Sequence, residues 1–168
     1  MQVRQLQVAH DSVQDRLVLR IGTQASEEIR VFLTRRFLRE LWPHLSVMLA
    51  GHLGVARPLA TAPESQGGGS STFAEPFREE NPTYPLGSNP LLAAEATLEP
   101  AGDGLCRLIL REMRERGVTL NLNAELLQAL CAMLRAAAGQ AGWDLALEYA
   151  AAAPSTAPAA PPGKALLH

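Results

Sequence analysis

The sequence predicts an α+β fold made of two copies of a strand-strand-strand-helix unit. Three observations support this prediction. Two short segments alternate apolar and polar residues in the same way, a helix-capping residue follows each pair of strands, and an apolar helical stripe follows each cap. We expect antiparallel sheet or sheets with the two main helices packed on one face, related by a pseudo-twofold axis.

The strands of the two units resemble each other residue by residue. Residues 16–20 read RLVLR and residues 107–111 read RLILR, which places leucine on one face and arginine on the other. A second strand follows each, at 29–33 and at 118–122, after a turn of hairpin length. A weaker strand precedes each unit, at Val3–Ala9 and at Leu91–Glu99.

A helix is predicted after each pair of strands. Thr34 and Asn123 have side-chain oxygens that can accept from the first amides of a helix. The two apolar stripes that follow align: Phe37, Leu38, Leu41, Trp42 and Leu45 with Leu126, Leu127, Leu130, Cys131 and Leu134. Pro43 is expected to kink or end the first helix, with residues 46–53 continuing as an offset piece.

The chain is predicted to have four parts. Residues 1–54 form the first unit, 55–90 a flexible insert rich in Gly, Ser and Pro, 91–149 the second unit, and 150–168 a disordered Ala/Pro tail. Three strands and one helix bury too little apolar surface to be stable alone. We therefore expect the two units to share one core.

Composition limits the function classes. The net charge of -2 and the pI of about 6.1 give no overall attraction to nucleic acid or to an anionic membrane. The N-terminal residues have no apolar signal region, and no run reaches the roughly 18 apolar residues of a membrane span. We expect a bacterial-type protein of the cytoplasm that does not bind membranes.

No catalytic, metal or cofactor motif is found. His44 and His52 lie two helical turns apart, roughly 12 Å along the axis, so they cannot share one ion. Cys106 and Cys131 have no paired spacing and are predicted to be buried. We therefore predict a protein that is not an enzyme and has no cofactor. The alternative is a site without a motif, in which His10 or His44 lies beside a carboxylate.

The outer face of the predicted sheet is the candidate binding surface. If the leucines point towards the helices, the residues between them point away. This candidate face consists of Arg16, Val18, Arg20, Arg30, Phe32, Arg107, Ile109 and Arg111, with Thr119 and Asn121 beside them. Arginine around apolar side chains is typical of protein interfaces, so we predict an accessory or scaffold protein with a protein partner, which includes a homodimer.

Two alternatives concern the same surface. Arginine pairs with phosphate and Phe32 can stack on a base, which favours single-stranded nucleic acid as a second ligand class. The order of elements, and that order alone, is similar to that of the Whirly and Pur-alpha single-strand binders; no motif of those families is matched, their units usually have four strands, and such a likeness does not by itself confer their function. Phe73, Phe77 and Tyr84 of the insert are predicted to anchor it on the protein's own sheet or to capture a partner.

Overall fold

The architecture is α+β, with two sheets and two helices, as predicted. A computed structural model describes residues 3–55, 82–113 and 116–150. The elements are β1 (Val3–Asp11), β2 (Arg16–Thr23), β3 (Glu28–Leu33), α1 (Arg35–Val55), β4 (Leu91–Leu92), β5 (Glu95–Gly102), β6 (Leu105–Arg111), β7 (Gly117–Leu122) and α2 (Ala124–Gln140). None of the helices in these ranges is long and apolar enough to cross a membrane.

The strands form a first sheet in the order β1-β2-β3-β4 and a second in the order β5-β6-β7. All pairs are antiparallel except β3 with β4, which is parallel. The strand predicted at Leu91–Glu99 is thus divided: β4 pairs with the first sheet and β5 begins the second. The second sheet therefore begins with β5, which extends three residues beyond the predicted end at Glu99, to Gly102.

Local sequence explains where the elements begin. Asp103 and Gly104, at φ of 50° and 72°, form the tight turn between β5 and β6, where both central residues need positive φ. Thr34 and Asn123 act as N-caps, as predicted: their side-chain oxygens accept from the amides of Phe37 at 3.1 Å and Leu126 at 2.8 Å.

The core contains the inward faces of both sheets and one stripe of each helix. Leu17 and Leu19 of β2 and Leu108 and Leu110 of β6 are buried, as the alternation predicts. The predicted stripe of each helix is also buried, apart from the half-buried Leu126. Glu28, Thr23 and Ser46 are the buried polar side chains in the described ranges.

The prediction that Pro43 could end the first helix is wrong. α1 is one helix from Arg35 to Val55 with Pro43 inside it. Ser46 donates from its hydroxyl to the Pro43 carbonyl at 3.0 Å. Burial of Leu41, Leu45 and Leu49 on one face stabilises the helix on both sides of the proline, and this outweighs the missing backbone hydrogen bond.

The closest helix-strand approaches cross between the two units. α2 has its most extensive strand contact with β1, and α1 has its most extensive strand contact with β5. The leucine alternation predicts a different arrangement, in which the strands of each unit face the helix of the same unit. After α2, Trp143 donates to Asp15 in the β1-β2 turn at 2.8 Å, and Trp42 of α1 donates to the Glu148 carbonyl at 2.8 Å.

Candidate functional site: the sheet faces and the groove between α1 and β5

The arginines of the first sheet are held by a buried carboxylate. Arg20 and Arg30 lie directly opposite each other on β2 and β3, where two like charges repel. Glu28 lies on the same face and is 1% exposed. Its Oε1 accepts from Arg20 Nε at 2.8 Å and from Arg30 Nε at 2.7 Å, so one carboxylate compensates both cations.

The ionisation of Glu28 follows from these contacts. Burial alone raises the pKa of a carboxyl group, but the hydrogen bonds and charges of Arg20 and Arg30 outweigh it, so the pKa of Glu28 lies below its ordinary value. Oε2 of Glu28 is buried without a hydrogen-bond partner. The carboxylate is therefore charged at neutral pH and depends on the two arginines.

Aromatic rings contact two arginines of this face, Arg16 and Arg30. Arg16 lies over the ring of Phe32, with 5.5 Å between Cζ and the ring centroid. Arg30 lies 5.1 Å from the ring centroid of Tyr84 and donates to the Tyr84 hydroxyl at 3.1 Å. Tyr84 therefore contacts the first sheet of its own chain. The other two predicted insert anchors, Phe73 and Phe77, lie outside the described residues.

The corresponding face of the second sheet is more exposed. Arg107 donates to Glu99 at 3.3 Å, and both side chains are 46% exposed. Ile109 is half-buried, and Arg111, Thr119 and Asn121 are exposed. An ion pair this exposed contributes little to stability.

The predicted binding face is therefore divided between two sheets. Arg16, Val18, Arg20, Arg30 and Phe32 lie on the first sheet, and Arg107, Ile109 and Arg111 lie on the second. The paired guanidinium groups leave less positive charge for a phosphate backbone than the sequence pattern indicates.

The structure brings together a different set of residues between α1 and β5. The C-terminal half of α1 and the β5-β6 hairpin enclose an apolar groove of about 770 Å³. Its walls are Pro43, His44, Val47, Met48, Gly51 and His52 from α1, and Leu98, Pro100, Gly102, Gly104 and Leu105 from the hairpin. A smaller cavity of about 410 Å³ adjoins it through His44 and Leu98. We call this combined surface the α1-β5 groove.

An exposed hydrophobic residue marks the groove. Val47 is 63% exposed and belongs to the apolar lining of the groove, so it is part of a continuous apolar surface and not an isolated exposed residue. Pro43, Val47 and Gly51 follow each other at intervals of four residues and form a second stripe on α1, on the face that does not carry the leucines. α1 is thus apolar on two sides.

One edge of β5 faces the groove without a strand partner among the described residues. The Glu112 amide donates to the Arg116 carbonyl across the β6-β7 hairpin, so the even-numbered residues of β6 point their backbone groups to β7. Its odd-numbered residues therefore pair with β5, through Thr97 and Glu99. The backbone groups of Ala96, Leu98 and Pro100 then point outward.

The rim of the groove is acidic to neutral. The residues that line it include Glu40, His44 and His52, and neither lysine nor arginine. Glu40 pairs with Arg36 at 2.9 Å, and Glu99 of β5 pairs with Arg107 on the face of the strand opposite Leu98. Nε2 of His52 is buried without a hydrogen-bond partner. The groove therefore offers apolar walls, unpaired backbone groups and a weakly negative rim.

The two cysteines and His10 lie outside the groove, in buried or hydrogen-bonded positions. Burial raises the pKa of Cys131 to about 12, with nearby Cys106 adding to the effect, and burial also raises the pKa of Cys106. Both thiols are therefore protonated and poor nucleophiles. His10 lies 3.2 Å from Asp15, and hydrogen bonds from Trp143 and His10 hold the pKa of Asp15 below its ordinary value. In the described ranges no cluster of His, Cys, Asp and Glu could hold a metal ion.

Sequence reasoning missed two features of this site. Glu28 could have been found, because it lies two residues before Arg30 and so shares its face of the strand. The groove itself depends on the approach of α1 to β5, a strand of the other unit, and no local pattern gives that distance. The stripe of Pro43, Val47 and Gly51 was its one visible signal.

Comparison with known proteins gives no relative. No protein-family model, curated protein or solved structure matches this chain.

Proposed function

We propose that this chain is a protein-binding module that holds a segment of a partner protein in the α1-β5 groove. The observation that carries this proposal is the exposed Val47 in an apolar groove beside a strand edge that pairs with no other described strand. Exposed apolar surface rimmed by polar groups is typical of binding sites. The buried, protonated thiol of Cys131 and the contact of His10 with Asp15 support a binding role over a catalytic one.

We also infer that the two units arose as copies of one unit. The N-caps and helix stripes agree at equivalent positions, and the two crossed approaches, α2 to β1 and α1 to β5, are each other's counterparts in such an arrangement. If so, the α1-β5 groove corresponds to the place where α2 lies against β1.

The Arg-bearing sheet faces support a second ligand class less well. Glu28 compensates Arg20 and Arg30, and Glu99 compensates Arg107. Binding of single-stranded nucleic acid would depend on these cations and fall steeply with salt. Retention of the wild-type protein on single-stranded DNA or RNA at low salt, lost on replacing Arg20 and Arg111 by Glu, would favour that function over the groove.

Site-specific cross-linking tests the proposal. A photoreactive phenylalanine analogue replaces Val47 in one variant and Val13 in a control, because Val13 is 93% exposed in the β1-β2 turn, away from the groove. We expect a defined protein adduct from position 47 and none from position 13. A purified adduct partner should then bind wild type and Val13→Asp, but not Val47→Asp.

Two outcomes would overturn the proposal. The first is the absence of any protein adduct from position 47 in cells that express the protein at its natural level. The second is a partner that binds Val47→Asp as tightly as wild type. An adduct with a second copy of this chain would identify the partner as a homodimer subunit, and the proposal would stand.

A further inference from the structure

Resting on the proposed function, we propose that the partner segment enters the α1-β5 groove as an extended strand, pairs with the outer edge of β5 at Ala96 and Leu98, and carries apolar side chains at alternate positions with a lysine or arginine beside them.

The backbone of β5 gives the binding mode. Ala96 and Leu98 each point an N–H and a C=O away from β6, and these are the groups that a further strand uses. An amphipathic helix in the same groove has no spare backbone groups to offer them. A strand satisfies them and keeps apolar contact with α1, so the structure favours a strand over a helix.

Pro100 limits how far along β5 an added strand can form backbone hydrogen bonds. Proline has no N–H, so the outward donors of β5 end at Leu98, and the irregularity between Pro100 and Gly102 interrupts the ladder there. The added strand can therefore pair over Ala96, Leu98 and the Pro100 carbonyl only. This is enough for a segment of about five residues.

The groove walls give the side-chain pattern of the partner. Successive side chains of a strand point to opposite faces, so alternate side chains of an added strand enter the groove. There they meet Leu98 from β5 and Val47 and Met48 from α1. Apolar residues at alternate positions are the chemistry that these walls accept.

The charge of the groove lining indicates which residues should stand next to the apolar positions of the partner segment. Glu40 lines the groove, and neither lysine nor arginine does; Arg36, its ion-pair partner at 2.9 Å, is 80% exposed and lies outside the lining. A cation next to the apolar positions lowers the electrostatic energy of the complex, whereas an anion raises it. The favoured segment is therefore a short apolar strand with basic ends.

A synthetic peptide tests this mode directly. The probe is a fluorescein-labelled peptide of sequence Lys-Thr-Val-Thr-Val-Thr-Lys, and its binding to the full chain is followed by fluorescence anisotropy. One control peptide has N-methyl groups on alternate amides, in both possible frames, which blocks strand pairing and leaves the side chains unchanged. A second control has Glu in place of both Lys.

We expect the probe to bind, with at least about tenfold loss for the N-methylated frame that faces β5 and a smaller, salt-dependent loss for the Glu peptide. On the protein side, Ala96→Pro removes one outward donor without touching the β6 ladder, and Glu27→Gln near the β2-β3 turn is the control. We expect Ala96→Pro to lose binding at least about tenfold and Glu27→Gln to keep it. Circular dichroism confirms that both variants are folded.

Each failure has a separate meaning. Equal binding of the N-methylated and unmodified peptides, or unchanged binding to Ala96→Pro, overturns strand addition. Tighter binding of the Glu peptide overturns the basic flank. No binding of the probe overturns a short apolar strand with basic ends as the partner. The groove as a protein-binding site is judged separately by the cross-linking at position 47, which does not depend on this peptide.

Discussion

Within the described part of the chain, the two sheets differ in how completely the helices cover them. At the first sheet, α2 runs along the edge strand β1, and Trp143 closes the end of that edge through Asp15. At the second sheet, α1 approaches β5 but leaves the groove open, and β5 is largely exposed. The ion pairs differ in the same way, buried at Glu28 and exposed at Glu99.

The two helices differ in side-chain size at aligned positions. Where α2 has Cys131, Ala137 and Ala138, α1 has Trp42, Met48 and Leu49. Small residues on a helix let it approach a neighbouring element more closely than larger ones do. The helix with the smaller residues, α2, is also the one with the more extensive contact with a strand.

Removing Trp143, which packs against the end of β1, should have the largest effect on the free energy of unfolding. Trp143 is 6% exposed, contacts His10 edge to face and donates to Asp15. Trp143→Ala should lower the free energy of unfolding by about 3–5 kcal/mol, because it leaves a cavity and removes a hydrogen bond. Urea unfolding followed by circular dichroism measures it.

The matched control for this variant lies on the open edge. Val47→Ala removes an apolar side chain that is 63% exposed, and it should change the free energy of unfolding by less than about 0.5 kcal/mol. A loss of similar size in both variants would mean that the two edges are equally closed, contrary to the comparison.

The two ion pairs give the next largest difference. Glu28→Gln leaves Arg20 and Arg30 without their shared counterion and should destabilise the protein by about 2–4 kcal/mol at pH 7. Glu99→Gln breaks the exposed pair with Arg107 and should cost less than about 1 kcal/mol. Chemical denaturation of both variants and of wild type tests the contrast.

The effect of Glu28→Gln should depend on pH in one direction. The pKa of Glu28 is lower in the folded protein than its ordinary value, so its ionised form stabilises the fold above the unfolded-state pKa, about 4.3 for Glu. That contribution is lost as the pH falls through the lower, folded pKa. The difference between wild type and Glu28→Gln should therefore shrink below about pH 4. A constant difference from pH 7 to pH 3 would show that folding does not lower the pKa of Glu28.

The last prediction involves almost no change in stability. It compares how easily a thiol reagent reaches the two buried cysteines and a cysteine placed at position 47. Cys106 and Cys131 are buried with raised pKa values, so a thiol reagent such as DTNB should modify them only when the protein unfolds. In Val47→Cys, one additional thiol should react within the time of mixing, with no loss of stability. Slow reaction of that thiol would place position 47 in a covered surface.

Local patterns were sufficient for the parts of the fold that depend on neighbouring residues. The alternation of Leu17 and Leu19, and the caps Thr34 and Asn123, predicted burial and helix starts that the structure confirms. Local geometry fixes these features, because a strand alternates every residue and a cap acts within three residues.

The parts that failed depend on long-range packing. Pro43 was expected to kink or end the first helix; the helix does not end there, because burial on both sides of Pro43 keeps α1 continuous. The crossing of α2 to β1 joins residues far apart in sequence, and the groove beside Val47 exists only because of the distance between α1 and β5. Neither distance has a signature in a single sequence.

Hydrogen exchange of the β5 amides, followed by NMR in the isolated protein, tests the open edge most directly. The outward amides of Ala96 and Leu98 should exchange at close to the rates of an unstructured peptide, while those of Thr97 and Glu99, which pair with β6, should be protected. Equal protection of all four amides would show that the outer edge of β5 is already paired, and it would contradict the account.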